Sequence, residues 1–215
     1  MDDNTLATFY PEHFYHIYNR TNNKEDLFLS DDNRLFFLDI VRDKLSGFAN
    51  TLAFSLMGNH FHLCIKTKSH HKIVNYIKSL PQGKISLRMR QFIENQEDIC
   101  LFNDVFTYLF SGIFNSYAQS FNRKEARIGN LFYRPFKRSL LESKTKIQYI
   151  IYYIHHNARK HDIVIDFKEH DWNSYHLIRI MDDSLIDITS VLEIFGDFKE
   201  FISYHNELLL PKDEL

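Results

Sequence analysis

The stretch Met57-Gly58-Asn59-His60-Phe61-His62-Leu63-Cys64-Ile65-Lys66 decides the fold and the chemistry predicted for this chain. Its pattern is typical of a β-strand. Because successive strand side chains point to opposite faces, His60 and His62 share one face. That face also carries Cys64 and Lys66, whereas the opposite face is apolar, with Phe61, Leu63 and Ile65. Two neighbouring imidazoles on one face of a sheet can bind a single metal ion.

The segments around this strand predict a small antiparallel sheet. An apolar run over Thr51–Met57 precedes it, and Gly58-Asn59 is a turn signal, so a hairpin with a second strand over Asn59–Lys66 is expected. Another strand is predicted over His13–Asn19. Its alternation places Tyr15 and Ile17 on one face, and the other face carries Phe14, His16 and Tyr18.

Helical periodicity predicts the elements between these strands and after them. Asp31 or Asp32 can cap a helix that ends at Gly47, and its apolar stripe consists of Leu35, Phe36, Leu38, Ile40, Val41 and Leu45. Two shorter helices are expected over Lys72–Leu80 and Lys84–Gln96.

The second half of the chain continues the alternation of helix and strand. Aromatic residues at spacings of three and four predict a helix across residues 104–124, and we interpret this stripe as core. A strand is predicted over Asn130–Leu141 despite an internal proline. Ser143 can cap a helix over Lys144–Lys160. The pattern of Ile188–Leu210 predicts one or two amphipathic helices.

Charge is strongly segregated along the chain, although the net charge is only −2. Residues 44–161 carry 18 Lys and Arg against 6 Asp and Glu. Residues 1–43 carry 4 against 9, and residues 162–215 carry 4 against 13. A basic block can neutralise phosphates and release their counterions, so the middle of the chain is the predicted nucleic-acid surface. The alternative is a solvated basic face.

A second group of polar residues lies on the predicted helix Lys144–Lys160. At 3.6 residues per turn, Tyr149, Tyr153 and Asn157 stack along one face. A tyrosine can act as a covalent nucleophile once its oxyanion is stabilised. Asn157 can supply a neutral oxygen ligand, which favours Mg²⁺ or Mn²⁺ over a closed structural zinc site. Its alternative role is helix termination near Asp162.

Five ordered motifs make the chain similar to the single-tyrosine HUH transposases, and especially to the branch associated with repetitive extragenic palindromes. They are Tyr15-His16-Ile17-Tyr18-Asn19-Arg20, Met57-Gly58-Asn59-His60-Phe61-His62-Leu63, Phe114-Asn115-Ser116-Tyr117 with Phe121-Asn122-Arg123, Gly129-Asn130-Leu131-Phe132 with Phe136-Lys137-Arg138, and Tyr153-Ile154-His155-His156-Asn157. The resemblance spans about residues 13–178, including Asp171-Trp172-Asn173-Ser174-Tyr175. Gly58 and Ala158 stand where the family usually has proline.

The resemblance implies a fold, a domain division and a set of site residues. The implied fold is α+β, a ferredoxin-like sandwich with a central antiparallel sheet flanked by helices, plus a helical C-terminal extension. The transposase domain is expected at 10–178, after a tail at 1–9 and before the extension at 179–215. His60, His62 and Asn157 match the residues that hold the divalent metal.

Tyr153 matches the tyrosine that attacks DNA, leaving a 5′-phosphotyrosine link and a free 3′-hydroxyl. Tyr152 is a rival, but it lies about 100° round the helix from Tyr153 and Asn157. The expected function is therefore metal-dependent nicking and rejoining of single-stranded or hairpin DNA. The phosphates are expected to meet Lys66, Arg123, Arg134, Lys137 and Arg138.

Two other functions are compatible with the same residues. One is a non-catalytic nucleic-acid-binding relic of the fold. The other is a phosphodiester hydrolase that uses metal-activated water. The sequence is compatible with a monomer or a homodimer. It is also compatible with a tyrosine helix that completes the site of its own subunit or that of a partner.

A cytoplasmic protein is expected from the remaining features. Apolar runs are shorter than a membrane span, and Met1-Asp2-Asp3 does not resemble a signal peptide. The two cysteines, Cys64 and Cys100, have no metal-site spacing. The final Lys212-Asp213-Glu214-Leu215 matches a retrieval signal, which we interpret as chance.

Overall fold

A four-stranded antiparallel sheet lies at the centre of the fold. The computed structural model describes residues 6–23 and 25–207. The strands are β1 (Phe14–Arg20), β2 (Ala49–Leu56), β3 (His60–Thr67) and β4 (Lys137–Leu141), in the order β2-β3-β1-β4. The helices are α1 (Asp31–Leu45), α2 (His70–Ser79), α3 (Leu87–Glu94), α4 (Ile99–Lys124), α5 (Lys144–Lys160), α6 (Tyr175–Ile180), α7 (Ile188–Phe195) and α8 (Phe198–Glu207). The predicted α+β fold, with its helix-flanked antiparallel sheet, is confirmed.

The hairpin predicted around the histidine pair is confirmed as β2 and β3. The Met57 N–H donates to the His60 carbonyl over 2.8 Å and closes the turn. The Gly58 carbonyl accepts hydrogen bonds from the N–H groups of Leu27 and Phe28. The Cβ of any larger residue at position 58 would lie 3.1 Å from the Asp26 carboxylate. Glycine therefore suits this close approach between the turn and the residues before α1.

One sheet face packs on α1 and α4. The Phe61 ring of β3 lies 4.8 Å from Phe37 of α1 and 5.5 Å from Phe114 of α4, between ring centroids. Tyr15 and Ile17 of β1 are buried on the same side. The aromatic stripe of α4 is core, as predicted. Asp98 caps this helix, which consequently begins at Ile99 rather than near residue 104.

Helix α5 covers the opposite face and has the predicted bounds. The Ser143 hydroxyl accepts a hydrogen bond from the Lys146 N–H over 3.1 Å, as expected of an N-cap. Its apolar residues are buried, namely Ile147, Ile150, Ile151 and Ile154. The sheet is therefore sandwiched between α1 with α4 on one side and α5 on the other.

The segment after α5 continues along the outer edge of β2. The Leu56 N–H donates to the Trp172 carbonyl, the Ser174 N–H to the Phe54 carbonyl and the Asp187 N–H to the Thr51 carbonyl. Helices α7 and α8 then pack against α5, and Val191, Phe195 and Phe201 belong to the same apolar core as the sheet. The predicted pattern over 188–210 resolves into two helices, and positions 208–210 lie outside the described residues.

Three further predicted elements have different bounds in the structure. The strand predicted over Asn130–Leu141 is wrong in its first half, because β4 begins at Lys137. Pro135 has no N–H for a sheet ladder, and the preceding residues instead connect to the end of β1. The predicted helix Lys84–Gln96 is shortened to α3 because Ser86 caps it. Similarly, Ser69 caps α2, which therefore begins at His70, two residues before the predicted start.

The helix predicted from Asp31 or Asp32 also needs correction. Its N-cap is Ser30, whose hydroxyl accepts from the Asn33 N–H, and it ends at Leu45. Leu35 and Phe36 were expected in the buried stripe but are 52% and 41% exposed. Among the described helices, none has both the length and the apolar character that a membrane span requires.

Candidate functional site

A cleft of about 510 Å³ opens between the ends of β1 and β3 and the last turns of α5. Its lining combines imidazole, phenol, amide and cationic groups. The lining residues are Tyr18, Asn19, Arg20, Asn59, His60, His62, Tyr133, Lys137, Tyr153 and His161. Three of the four residues predicted for catalysis and metal binding therefore line one cleft.

The strand register explains how the cleft floor is formed. In the antiparallel ladder Tyr18 lies opposite His62 and Arg20 lies opposite His60. All four side chains consequently lie on the sheet face that α5 covers. The rings of His60 and His62 are perpendicular, with centroids 5.3 Å apart.

Helix α5 brings Asn157 and Tyr153 over the histidine pair. The Asn157 Oδ1 lies 3.1 Å from His60 Nε2. The Tyr153 ring lies edge-on to His62, with centroids 5.5 Å apart. All four groups come together within the single chain of the structure.

Tyr152 has a different environment. Its ring is 1% exposed and stacks on His156 at 4.0 Å, with Tyr204 of α8 at 6.0 Å. It faces the C-terminal helices rather than the histidine pair. Adjacent residues of a helix lie about 100° apart, and Tyr152 and Tyr153 accordingly have different surroundings.

Burial controls the protonation of the site. Desolvation lowers the pKa of His60, and it lowers the pKa of His62 further, with smaller contributions from neighbouring positive groups. Both imidazoles are therefore neutral near pH 7, which is the form that ligates metals. Burial raises the pKa of Tyr153, while the nearby Asn157 amide acts in the opposite direction. The phenol is accordingly protonated at rest.

The donor atoms at the pair fit a divalent cation. His60 Nδ1 lies 2.7 Å from Asn59 Oδ1, and His60 Nε2 lies 3.1 Å from Asn157 Oδ1. A neutral imidazole has only one N–H, so it cannot donate to both oxygens. If Nδ1 donates to Asn59, a nitrogen lone pair and an amide oxygen face each other, as two ligands of one cation do. Among the described residues, no group of three or more His, Cys, Asp or Glu side chains could hold a metal, so Asn157 is essential to this set.

The predicted phosphate-binding residues are dispersed. Lys137 is exposed and lines the cleft, with its Nζ 5.9 Å from the centre of the Tyr18 ring. Arg134 is exposed in an adjoining cleft of about 620 Å³ and donates to Asn115. Lys66 lies at the other end of β3 over Phe14, and Arg123 is exposed in the last turn of α4. Of the five, Lys137 is the one that lines the cleft.

The position of Arg138 does not support the predicted phosphate contact. It lies opposite Ile17 in the sheet, so its side chain points to the face that packs on α4. It is 9% exposed, and its Nε donates to the Ala7 carbonyl over 2.6 Å. The guanidinium also lies over the rings of Phe9 and Phe136, at 5.0 and 5.1 Å. These contacts make Arg138 an interior group.

Four further residues contribute cations or rings that were not singled out from the sequence. Arg20 lies over Tyr133 at 5.5 Å, and Lys160 Nζ lies 5.1 Å from the centre of the Tyr153 ring. The His161 ring lies 5.1 Å from that of His60. The alternation of β1 could have indicated Arg20, and the spacing of seven residues from Tyr153 could have indicated Lys160. Nothing in the local pattern marks His161 or Tyr133.

Comparisons with known proteins gave one informative match. No family model and no curated protein matches the chain. A solved structure of a REP-associated tyrosine transposase bound to a REP hairpin is similar, with a TM-score of 0.53 and 13% sequence identity. The alignment covers 85% of this chain and 87% of that one. The chain therefore shares the fold of a REP-associated tyrosine transposase.

Proposed function

We propose that this protein nicks and rejoins single-stranded DNA through a covalent tyrosine intermediate, acting on hairpin or palindromic substrates. The observation that carries the proposal is the convergence of Tyr153 and Asn157 of α5 on the His60 and His62 pair of β3. The shared fold supports the assignment. That neighbour is bound to a REP hairpin, which supports a DNA substrate of this kind.

Tyr153 is the proposed nucleophile. The phenol loses its proton, and its Oη forms a bond to phosphorus as the bond from phosphorus to the 3′-oxygen breaks. The strand then carries a 5′-phosphotyrosine link, and the other product leaves as a 3′-hydroxyl after taking up a proton. Because one phosphoester replaces another, the reverse reaction rejoins the strands without a further energy source.

The surroundings of Tyr153 can favour its ionised form. Lys160 places a positive charge over the ring, and the nearby Asn157 amide lowers the pKa of the phenol. The effect of Asn157 opposes the increase in pKa that burial and the neighbouring Tyr149 and Tyr18 cause. A positive charge near a phenolate stabilises it. Lys160 is thus proposed to stabilise the phenolate at the moment of attack.

His60, His62 and Asn157 are the proposed ligands of Mg²⁺ or Mn²⁺. When bound, such a cation polarises the scissile phosphate and stabilises negative charge on the leaving oxygen. The protein residues hold their donor atoms on two rigid elements, which limits the reorganisation needed for binding.

The DNA strand is proposed to enter along the exposed cations of the cleft. Arg20 and Lys137 flank the floor, and each lies over a tyrosine ring, Tyr133 or Tyr18. Tyr133 is 43% exposed and can stack on an unpaired base. Arg134 extends the basic surface into the adjoining cleft.

A covalent-capture experiment tests the proposal. A hairpin oligonucleotide labelled at its 3′ end is incubated with Mn²⁺ and separated on a denaturing gel, where an adduct migrates with the protein. We expect the wild-type protein and Tyr152→Phe to give the adduct, and Tyr153→Phe and samples with chelator to give none. Tyr152→Phe is a matched control because it makes the same chemical change, loss of one phenol hydroxyl, at the adjacent residue.

The other two candidate functions give different products in the same experiment. A hydrolase that uses water releases labelled DNA with a free 5′-phosphate and no adduct. A non-catalytic binding protein retards the DNA in a native gel without cutting it. An adduct that persists in Tyr153→Phe would exclude Tyr153 as the nucleophile.

A further inference from the structure

His16 of β1 forms a direct contact with one of the proposed metal ligands. Its Nε2 lies 2.8 Å from His62 Nδ1, within hydrogen-bond distance, and both side chains are buried. The two rings are nearly parallel, with centroids 5.0 Å apart, and the ring of Tyr18 stacks on His16 at 4.8 Å. His16 does not line the cleft itself, so it lies behind His62 as seen from the cleft.

A hydrogen bond between two imidazole nitrogens contains a single proton. The position of this proton determines whether the Nε2 atom of His62 carries a hydrogen or a free lone pair. With the proton on His16 Nε2, neutral His62 accepts at Nδ1 and must carry its own proton on Nε2. With the proton on His62 Nδ1, His62 donates to His16, and the lone pair of Nε2 is available. Only the second arrangement lets neutral His62 bind a cation through Nε2.

The other histidine of the pair has a comparable arrangement, with an amide oxygen beside its Nδ1. His60 Nδ1 lies 2.7 Å from Asn59 Oδ1, a carbonyl oxygen. If His60 donates from Nδ1 to this oxygen, its Nε2 lone pair faces Asn157 Oδ1 at 3.1 Å. For both histidines, a hydrogen bond from Nδ1 to a neighbouring residue leaves the Nε2 lone pair available to the cation.

We propose that His16 is a positioning residue, which accepts a hydrogen bond from His62 Nδ1 and thereby fixes the tautomer of His62 that presents Nε2 to a divalent cation. This inference rests on the metal site of the proposed function. Hydrogen bonds from metal-ligating histidines to a second residue set the ring orientation and the tautomer, and their loss typically weakens metal affinity about 10–100-fold.

The first test uses the metal-free protein without DNA. Long-range proton–nitrogen NMR spectra of ¹⁵N-histidine-labelled protein identify the tautomer of each imidazole. We expect His62 to be the Nδ1–H tautomer in the wild-type protein and in His16→Gln, whose amide oxygen can occupy the position of Nε2. In His16→Leu, which has no acceptor, we expect the His62 proton to move to Nε2.

The second test measures Mn²⁺ binding by calorimetry. His16→Leu is expected to lower the affinity about 10–100-fold, and His16→Gln to remain near the wild-type value. His71→Leu is the control, because His71 is an exposed histidine of α2 at the other end of β3. A role confined to packing would instead leave the tautomer of His62 unchanged while lowering the melting temperature.

Either of two NMR outcomes would overturn the inference: an Nε2–H tautomer of His62 in the wild-type protein, or an unchanged Nδ1–H tautomer in folded His16→Leu. If His16→Leu does not fold, the wild-type and His16→Gln spectra still decide. Absence of Mn²⁺ binding in the wild-type protein would overturn the metal site on which the inference rests. Failure of covalent capture, with tautomer and Mn²⁺ affinity as expected, would contradict only the nicking reaction.

Discussion

The Tyr153 ring meets the His62 imidazole at 86°, with the two centroids 5.5 Å apart. One residue comes from the middle of α5 and the other from the second strand of the hairpin, so the contact depends on docking the helix on the sheet. The same docking places Asn157 beside His60. Any change that shifts α5 along the sheet therefore separates the proposed nucleophile from the proposed metal ligands.

Substitution of Asn157 should weaken metal binding more than it changes the fold. Asn157→Ala removes the oxygen ligand, and we expect Mn²⁺ affinity to fall by at least about 10-fold in calorimetry, the lower end of the loss seen for supporting residues. Asn157→Asp keeps an oxygen at the same distance and adds a charge, so it should retain binding. Equal affinity in Asn157→Ala and wild type would remove Asn157 from the ligand set.

Cations of the cleft should contribute to DNA affinity through phosphate contacts. We expect Arg20→Ala and Lys137→Ala each to reduce the slope of log affinity against log salt concentration by about 0.7 for single-stranded DNA. Fluorescence anisotropy at several salt concentrations measures this slope. Arg138→Leu is the contrasting variant, because its guanidinium is fixed inside the protein.

For Arg138→Leu we expect an unchanged salt slope and a lower free energy of unfolding. Loss of the guanidinium leaves the Ala7 carbonyl without its donor, which costs about 1–3 kcal/mol for a buried group. A reduced slope in Arg138→Leu would contradict this assignment and support the phosphate contact that the sequence predicted.

The contact between α5 and α8 should be important for stability. His155 Nδ1 lies 2.9 Å from His205 Nε2, and His205 Nδ1 donates to the Phe201 carbonyl. His155 Nε2 in turn accepts from the Ser174 hydroxyl over 2.8 Å. We expect His205→Leu to lower the free energy of unfolding by about 1–3 kcal/mol, because the His155 N–H is left buried and unpaired. Urea denaturation measures the change, and a surface control such as His71→Leu should stay within about 0.5 kcal/mol.

The same contact should make stability depend on pH. Burial lowers the pKa of His205 from 6.5 to about 4 in the folded protein. The unfolded chain therefore binds a proton below pH 6.5, whereas the folded protein does not until about pH 4. The free energy of unfolding should decrease as pH falls through this window, and His205→Leu should make the decrease shallower. Urea midpoints between pH 4 and pH 7.5 test the difference, and equal slopes would contradict it.

The sequence predicted the features that depend on local periodicity. Alternation in β3 placed His60 and His62 on one face, and the helical repeat of α5 placed Tyr153 with Asn157 and away from Tyr152. The Ser143 cap fixed the start of α5, so these assignments required no knowledge of distant contacts.

Features that depend on strand register were not predictable in this way. Arg20 and Tyr18 join the cleft because β1 pairs with β3 at one particular register, and Arg138 is interior because it lies opposite Ile17. Lys137 and Arg138 are adjacent and equally basic, so their sequence does not reveal which one faces the core. Leu35 and Phe36 were misassigned for a related reason, since a helix does not show locally how much of its apolar stripe its neighbours cover.

Both outer strands of the sheet already have backbone partners. Residues 172–174 and Asp187 bond to β2, and Ala7 donates to the Arg138 carbonyl of β4. An open edge is the usual place where a second molecule adds a strand, through exchange or aggregation. A second molecule could add a strand at these hydrogen-bonded positions of β2 and β4 only by displacing the segments that occupy them.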